Sequence, residues 1–205
     1  VHVSLCNVPY YRQMIRKAVR IKMLPMGRKH KYSNGKRRKP CVIVGGVKKH
    51  FARTASVNVD DYHFEIKQEV VNELKSNAQC EGNELCGVLM GSQVGHNYYR
   101  ISKISPPCVR SHTRCGCERD AAMANQFIEE DYNQSEHTRF YIGEWHTHPE
   151  DNPTPSAIDY SSIKDNYQIA SLVVPFLLMI IVGTKSFHIS IYNGDKFIKV
   201  EPEVV

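Results

Sequence analysis

Apolar and polar positions repeat with two different periods from residue 60 onward, and the period identifies the element each stretch forms. YHFEI (62–66) alternates and predicts an edge strand, while KQEVVNELKSNA (67–78) sets Val70, Val71 and Leu74 at helical spacing. LCGVLMGS (85–92) predicts a buried strand ending at Gly91, followed by a half-exposed strand over YYRISKIS (98–105). A Pro- and Cys-rich loop (106–119) leads into a helix over AAMANQFIEEDYN (121–133), then a strand over RFYIGEW (139–145). A helix starts near Ser156, and FLLMIIVG (176–183), SFHISIYN (186–193) and DKFIKVE (195–201) predict three further strands. The longest apolar run, VVPFLLMIIVG (173–183), is broken by Pro175 and falls short of the roughly 20 residues of a membrane span, so it predicts a buried strand. Helices interspersed among hairpin-connected strands predict an α+β class, a mixed α/β sheet with helices packed on it.

Composition changes this picture mainly at the N-terminus. The 205 residues suffice for one well-buried core. The net charge of +6 hides an asymmetry: residues 1–59 hold 15 Lys/Arg and no Asp/Glu, leaving 12 basic residues against all 21 acidic ones from Asp60 onward. The expected organisation is therefore a basic extension (1–58), within which CVIVGGV (41–47) could form a short strand, and a main domain (59–205). Like-charge blocks of this kind are solvated extensions, attachment points for nucleic acid or an acidic partner, or organellar presequences. Seven cysteines, an odd number, without an apolar signal-peptide core predict reduced thiols and a cytoplasmic chain with no membrane association.

The chemistry concentrates in GEWHTHPEDNPTPSAID (143–159). On an extended segment His146 and His148 point to one side and can reach one point. Pro149, Pro153 and Pro155 stiffen the connection to Ser156 and Asp159, which are three apart on one side of a helical first turn. Ser-x-x-Asp is also a capping-box pattern, so a structural role stands beside the chemical one. Two neutral imidazoles and one carboxylate suit zinc, and three protein ligands leave the fourth tetrahedral position open, as in catalytic sites.

Glu84 in NELCGVLMG, then His146-Thr147-His148-Pro149, then Ser156 and Asp159 seven and ten residues after Pro149, resemble the JAMM/MPN metalloprotease signature at each defining position. The resemblance covers roughly residues 60–200. It implies an MPN fold of the cytidine deaminase-like kind, a curved mixed sheet flanked by helices with the metal site at one end. It also implies one catalytic Zn²⁺ on His146, His148 and Asp159, Glu84 as general base and then acid, and Ser156 as oxyanion stabiliser. Members of the family hydrolyse amide or isopeptide bonds at the C-terminus of ubiquitin-like or sulfur-carrier proteins.

YIGEWHTHPEDNPTPSAID and the compact body look like the small bacterial members encoded beside E1/E2-like proteins. That group includes the deconjugase of CBASS antiphage operons, which frees a nucleotidyltransferase from the proteins to which its C-terminus is conjugated. The implied substrate is thus a protein with a conjugated C-terminal tail, and the implied operon partners are E1/E2-like proteins. A peptidase trimming a sulfur-carrier or ubiquitin-like precursor is the alternative within the enzyme class. A non-catalytic MPN scaffold tethered by its basic arm is the alternative outside it. Two features stand apart from the resemblance: the arm itself, and Cys108, His112, Cys115 and Cys117, whose irregular spacing offers free thiols or a second zinc site. Trp145 either packs against the sheet or borders a groove for an extended tail.

Overall fold

The computed structural model describes residues 62–205. The basic extension, the strand expected at 41–47 and the boundary between residues 58 and 59 lie outside the described residues. In chain order the elements are β1 (His63–Ile66), α1 (Gln68–Ser76), β2 (Cys86–Gly95), β3 (Tyr98–Ile104), β4 (Val109–Thr113), β5 (Gly116–Arg119), α2 (Ala121–Gln134), β6 (Phe140–Thr147), α3 (Ala157–Ile169), β7 (Leu177–Val182), β8 (Phe187–Tyr192), β9 (Phe197–Lys199) and β10 (Glu203–Val204). Eight strands form one mixed sheet in the order β10-β1-β3-β2-β6-β7-β8-β9, and β4 and β5 pair separately. The sheet curls, because Tyr62 and Phe64 near one end and Ile198 and Lys199 at the other line a single cleft.

The sheet is buried on both faces, which explains why β7 reads as an unbroken apolar run. Leu178, Ile180 and Val182 face Val70, Val71 and Leu74 of α1, while Leu177, Met179 and Ile181 face Ala124 and Ile128 of α2 and Ile163 of α3. That division follows the period of two along a strand. β6 breaks the period: Leu89 pairs with Gly143 but Met90 with Tyr141, so Ile142 is an extra residue and the strand changes parity there. Tyr141 and Glu144 consequently share the α2/α3 face, whereas Ile142 and Trp145 lie in the α1-side core. Of the two readings of Trp145, packing holds: the indole is fully buried. A Cβ on Gly87 would come within 2.5 Å of the indole nitrogen, so only glycine leaves room for the ring there.

Three expectations are corrected. The segment 106–119 is no irregular loop but carries the β4–β5 hairpin. β4 is exposed along nearly its whole length and has no apolar alternation to announce it. YHFEI is not the edge strand, because β10 pairs in parallel outside β1. The thiols are not all reduced: Cys86 and Cys117 form a disulfide, while Cys80, Cys108 and Cys115 are free. No helix among the described residues is long and apolar enough to cross a membrane.

α2 is tied to the sheet by buried Asp131, which accepts hydrogen bonds from Arg139 (2.6 and 2.9 Å) and Lys103 (2.8 Å). Burial alone would raise the Asp131 carboxyl, but the bonds and charges of Arg139 and Lys103 outweigh it and hold the group below its ordinary range. A carboxyl depressed on folding contributes stability that is complete above its unfolded pKa of about 3.9 and is lost as pH falls through the folded value. Urea midpoints measured between neutral pH and pH 3 are therefore expected to fall less steeply with acidification in Asp131→Asn than in the wild type.

Candidate metal centre

β6, α3 and β7 form a parallel βαβ unit, in which the carboxyl end of the first strand meets the start of the crossover helix. That junction brings the two halves of the candidate site together. His146 lies near the end of β6, between Cys86 of β2 and Ile181 of β7. The chain stays extended through His148, whose N–H donates to Val182 O (2.9 Å), while Thr147 N–H donates to Leu85 O (2.9 Å). Both imidazoles therefore project from the same side, with their Nε2 atoms 3.2 Å apart.

Asp159 arrives from the first turn of α3. Ser156 is the N-cap and the full capping box is present: Asp159 N–H donates to Ser156 Oγ (3.2 Å) and Ser156 N–H to Asp159 Oδ2 (2.7 Å). The structural role of the Ser-x-x-Asp pattern is thus real, and it aims the carboxylate. Asp159 Oδ1 lies 3.4 Å from His146 Nε2 and Oδ2 lies 3.6 Å from His148 Nε2. A tetrahedral zinc site with bonds of about 2.0–2.1 Å has ligand–ligand edges of roughly 3.3–3.4 Å, so these three groups have the right spacing for that ion. They are buried, and among the described residues no other His/Cys/Asp/Glu group is gathered this way.

Electrostatics suits the same use. Burial, then the neighbouring His146, lowers the His148 pKa, favouring the neutral imidazole that ligates metals. Burial alone would raise Asp159, but His146 and Ser156 hold it at about 2, keeping it anionic. Nδ1 of His146 is buried without a hydrogen-bond partner, so the ring's orientation rests on its packing in the sheet.

Glu84 sits across the cleft, with Oε1 3.9 Å from His148 Nε2, outside the ligand cluster. It is 8% exposed, and burial raises its carboxyl to about 7; His146 pulls against that shift, while Asp159 and Glu150 add to it. A carboxyl poised near neutrality can both take and return a proton. Glu84, His146, His148, Ser156 and Asp159 all line one cleft of about 220 Å³, with Arg114 to Cys117 of the hairpin along another wall.

Every sequence-derived site residue is therefore at this cleft, while the candidate second metal cluster is not assembled. Cys117 is bonded to Cys86, Cys108 is buried against Ser105 and Pro106, and His112 Nδ1–H donates to Glu84 O (3.1 Å). Glu144 and Asp151 are occupied elsewhere, the former in a buried cluster and the latter with Thr184 and Lys185. That buried cluster escaped the sequence reading. Glu144 binds Arg119 of β5 and accepts from Tyr141 OH (2.9 Å) and from Asn166 Nδ2 of α3 (3.0 and 3.2 Å).

Ser156→Ala separates the two uses of the serine. Loss of the cap is expected to destabilise the fold by about 1 kcal/mol in urea denaturation. If the hydroxyl also donates to an oxyanion, kcat for amide cleavage falls by about 100-fold, far more than that instability explains.

Comparison with known proteins places this geometry in a family. The model describing prokaryotic homologs of the JAB domain matches residues 67–193. A "CD-NTase/cGAS isopeptidase" of Escherichia coli is 36% identical over 152 residues, 70% of this chain and 93% of the relative. A protein of the same name from Vibrio cholerae is 35% identical over 104 residues, 51% of this chain and 64% of the relative. One from Pseudomonas aeruginosa is 31% identical over 125 residues, 58% and 73% of the two chains. Among solved structures, a Desulfitobacterium hafniense protein with 18% identity matches with a TM-score of 0.50 over 69% of this chain and 92% of its own, a likeness of fold alone. With the mixed sheet and its flanking helices, these matches show that the chain has the MPN fold and belongs to the family of prokaryotic JAB-domain homologues.

Proposed function

We propose that residues 59–205 form a zinc-dependent isopeptidase that hydrolyses the amide bond after the C-terminus of a conjugated protein. The observation that carries this reading is the convergence of His146, His148 and Asp159 at zinc-like spacing with Glu84 across the same cleft. His146, His148 and Asp159 would hold the ion, which when bound supplies Lewis acidity that polarises a carbonyl and acidifies water. Glu84 takes the proton of the attacking water and passes it to the leaving amine. The Ser156 hydroxyl accepts one bond within the capping box, leaving its proton to donate to the oxyanion of the tetrahedral intermediate.

The names of the relatives support a nucleotidyltransferase as the conjugated protein, and the resemblance to the small bacterial members encoded beside E1/E2-like proteins suggests antiphage defence as the setting. The test is incubation with a nucleotidyltransferase joined through its C-terminus to a target lysine, with and without a chelator, and mapping of the cut by mass spectrometry. Chelator-sensitive cleavage directly after the C-terminal residue is expected. Cleavage only of a linear ubiquitin-like or sulfur-carrier precursor would favour the trimming peptidase instead, and no cleavage of either would favour the scaffold.

A further inference from the structure

Glu84 lies between α1 and β2, outside the strands, so the main sheet's hydrogen-bond ladder does not hold it. Its backbone is taken up by the β4–β5 hairpin instead. Glu84 N–H donates to Thr113 O (2.9 Å), and Glu84 O accepts from Nδ1–H of His112 (3.1 Å). Two residues on, Cys86 is bonded to Cys117, and Cys117 is the residue paired with His112 across the hairpin. Cys86 also faces His146 across β2 and β6, and the hairpin tip lines the cleft. A two-stranded hairpin is marginal by itself in water, so its place depends on such ties. Hydrogen bonds at the rim compete with water, whereas a covalent bond cannot slip.

We propose that the β4–β5 hairpin is the positioning element of Glu84, joined to Glu84 by Thr113 and His112 and fixed to β2 by the Cys86–Cys117 bond, so that opening this disulfide releases the Glu84 carboxylate from its place at the cleft. The inference rests on the isopeptidase reading for its effect on rate, but not for its effect on Glu84. In the two-electron reduction, the thiolate of a dithiol attacks one sulfur and the other leaves as a thiolate and takes a proton. The second thiol of the reductant then displaces the protein from the mixed disulfide, leaving Cys86 and Cys117 as thiols and the reductant as its own disulfide.

The test follows the full-length wild type through graded reduction with dithiothreitol, with the reductant removed and zinc restored before each assay. Three quantities are read together: alkylation of Cys86 and Cys117 by mass spectrometry, hydrogen exchange at the Glu84 amide, and kcat and KM for conjugate cleavage. As the two thiols become alkylatable, exchange at Glu84 is expected to accelerate at least about 10-fold while exchange in β7 stays unchanged. In the same window kcat falls about 10-fold or more with KM and zinc content nearly constant, since a misplacement of about 1 Å can lose up to 100-fold in rate. Reoxidation restores both. His112→Ala, with the disulfide intact, is expected to give a smaller change of the same kind in exchange and kcat.

Unchanged exchange at Glu84 once both thiols are free overturns the proposal, as does an unchanged kcat alongside faster exchange. A loss of kcat that tracks loss of zinc also overturns it. Faster exchange at Glu84 in a protein that cleaves no conjugate in either state supports the hairpin's hold on Glu84 and counts against the isopeptidase reading instead.

Discussion

Glu84→Gln is expected to lower kcat for conjugate cleavage by about 100- to 10,000-fold while leaving zinc content and KM close to wild type. The amide matches the carboxyl in shape and volume but cannot accept the proton of an attacking water. Glu84 stands outside the ligand cluster, so the substitution removes a proton carrier and no ligand atom. Misfolding would not explain the loss. A buried carboxyl raised to about 7 is a burden on the folded state once pH exceeds its unfolded value of about 4.3, and that burden grows as pH rises through the folded pKa. Metal-free Glu84→Gln is accordingly expected to unfold at urea concentrations equal to or above those of metal-free wild type at pH 8. A variant that turned over within a factor of 3 of wild type would remove Glu84 from the chemistry.

Glu144→Ala is expected to be the most destabilising single change near the site, by about 3–5 kcal/mol, because it leaves the buried Arg119 guanidinium without its carboxylate. Tyr141 OH and Asn166 Nδ2 lose their acceptor at the same time. Burial, then Glu144, pushes the Tyr141 phenol well above its usual range, so in the native protein it serves as a donor. Domains of this size are stable by roughly 5–15 kcal/mol, so about a fifth or more of the total is at stake. Arg119→Met combined with Glu144→Leu is expected to recover most of the loss, since a desolvated ion pair replaced by apolar groups is often nearly neutral. Urea denaturation with an unchanged m-value measures both. A single-variant loss under about 1 kcal/mol would mean that water or local rearrangement compensates Arg119.

The parts legible in the sequence are those that one period explains. Helical spacing located Val70, Val71 and Leu74 on the buried face of α1, and alternation located β3. His146 and His148 converge because an extended chain repeats every two residues, and Ser156 and Asp159 meet because a capping box spans three. What stayed hidden depends on partners distant in sequence. The bulge at Ile142 inserts one residue without altering composition, yet it decides that Tyr141 can reach Glu144. β10 is two residues long and exists through its pairing with β1. Cys86 and Cys117 are 31 positions apart and meet only once the hairpin docks. Glu144 and Arg119 are 25 positions apart and are both buried, a pairing that no local period announces.

Zinc loading against turnover tests the metal-dependent isopeptidase most directly. Metal-free protein is titrated with zinc while bound ion per chain and the rate of conjugate cleavage are measured in the same samples. The expected result is a rate that rises in proportion to occupancy and reaches its plateau at one zinc per chain, with Asp159→Asn and His148→Ala failing to load or to cleave. Cleavage in the metal-free protein at the rate of the loaded one, or unaltered loading in those two variants, would contradict it.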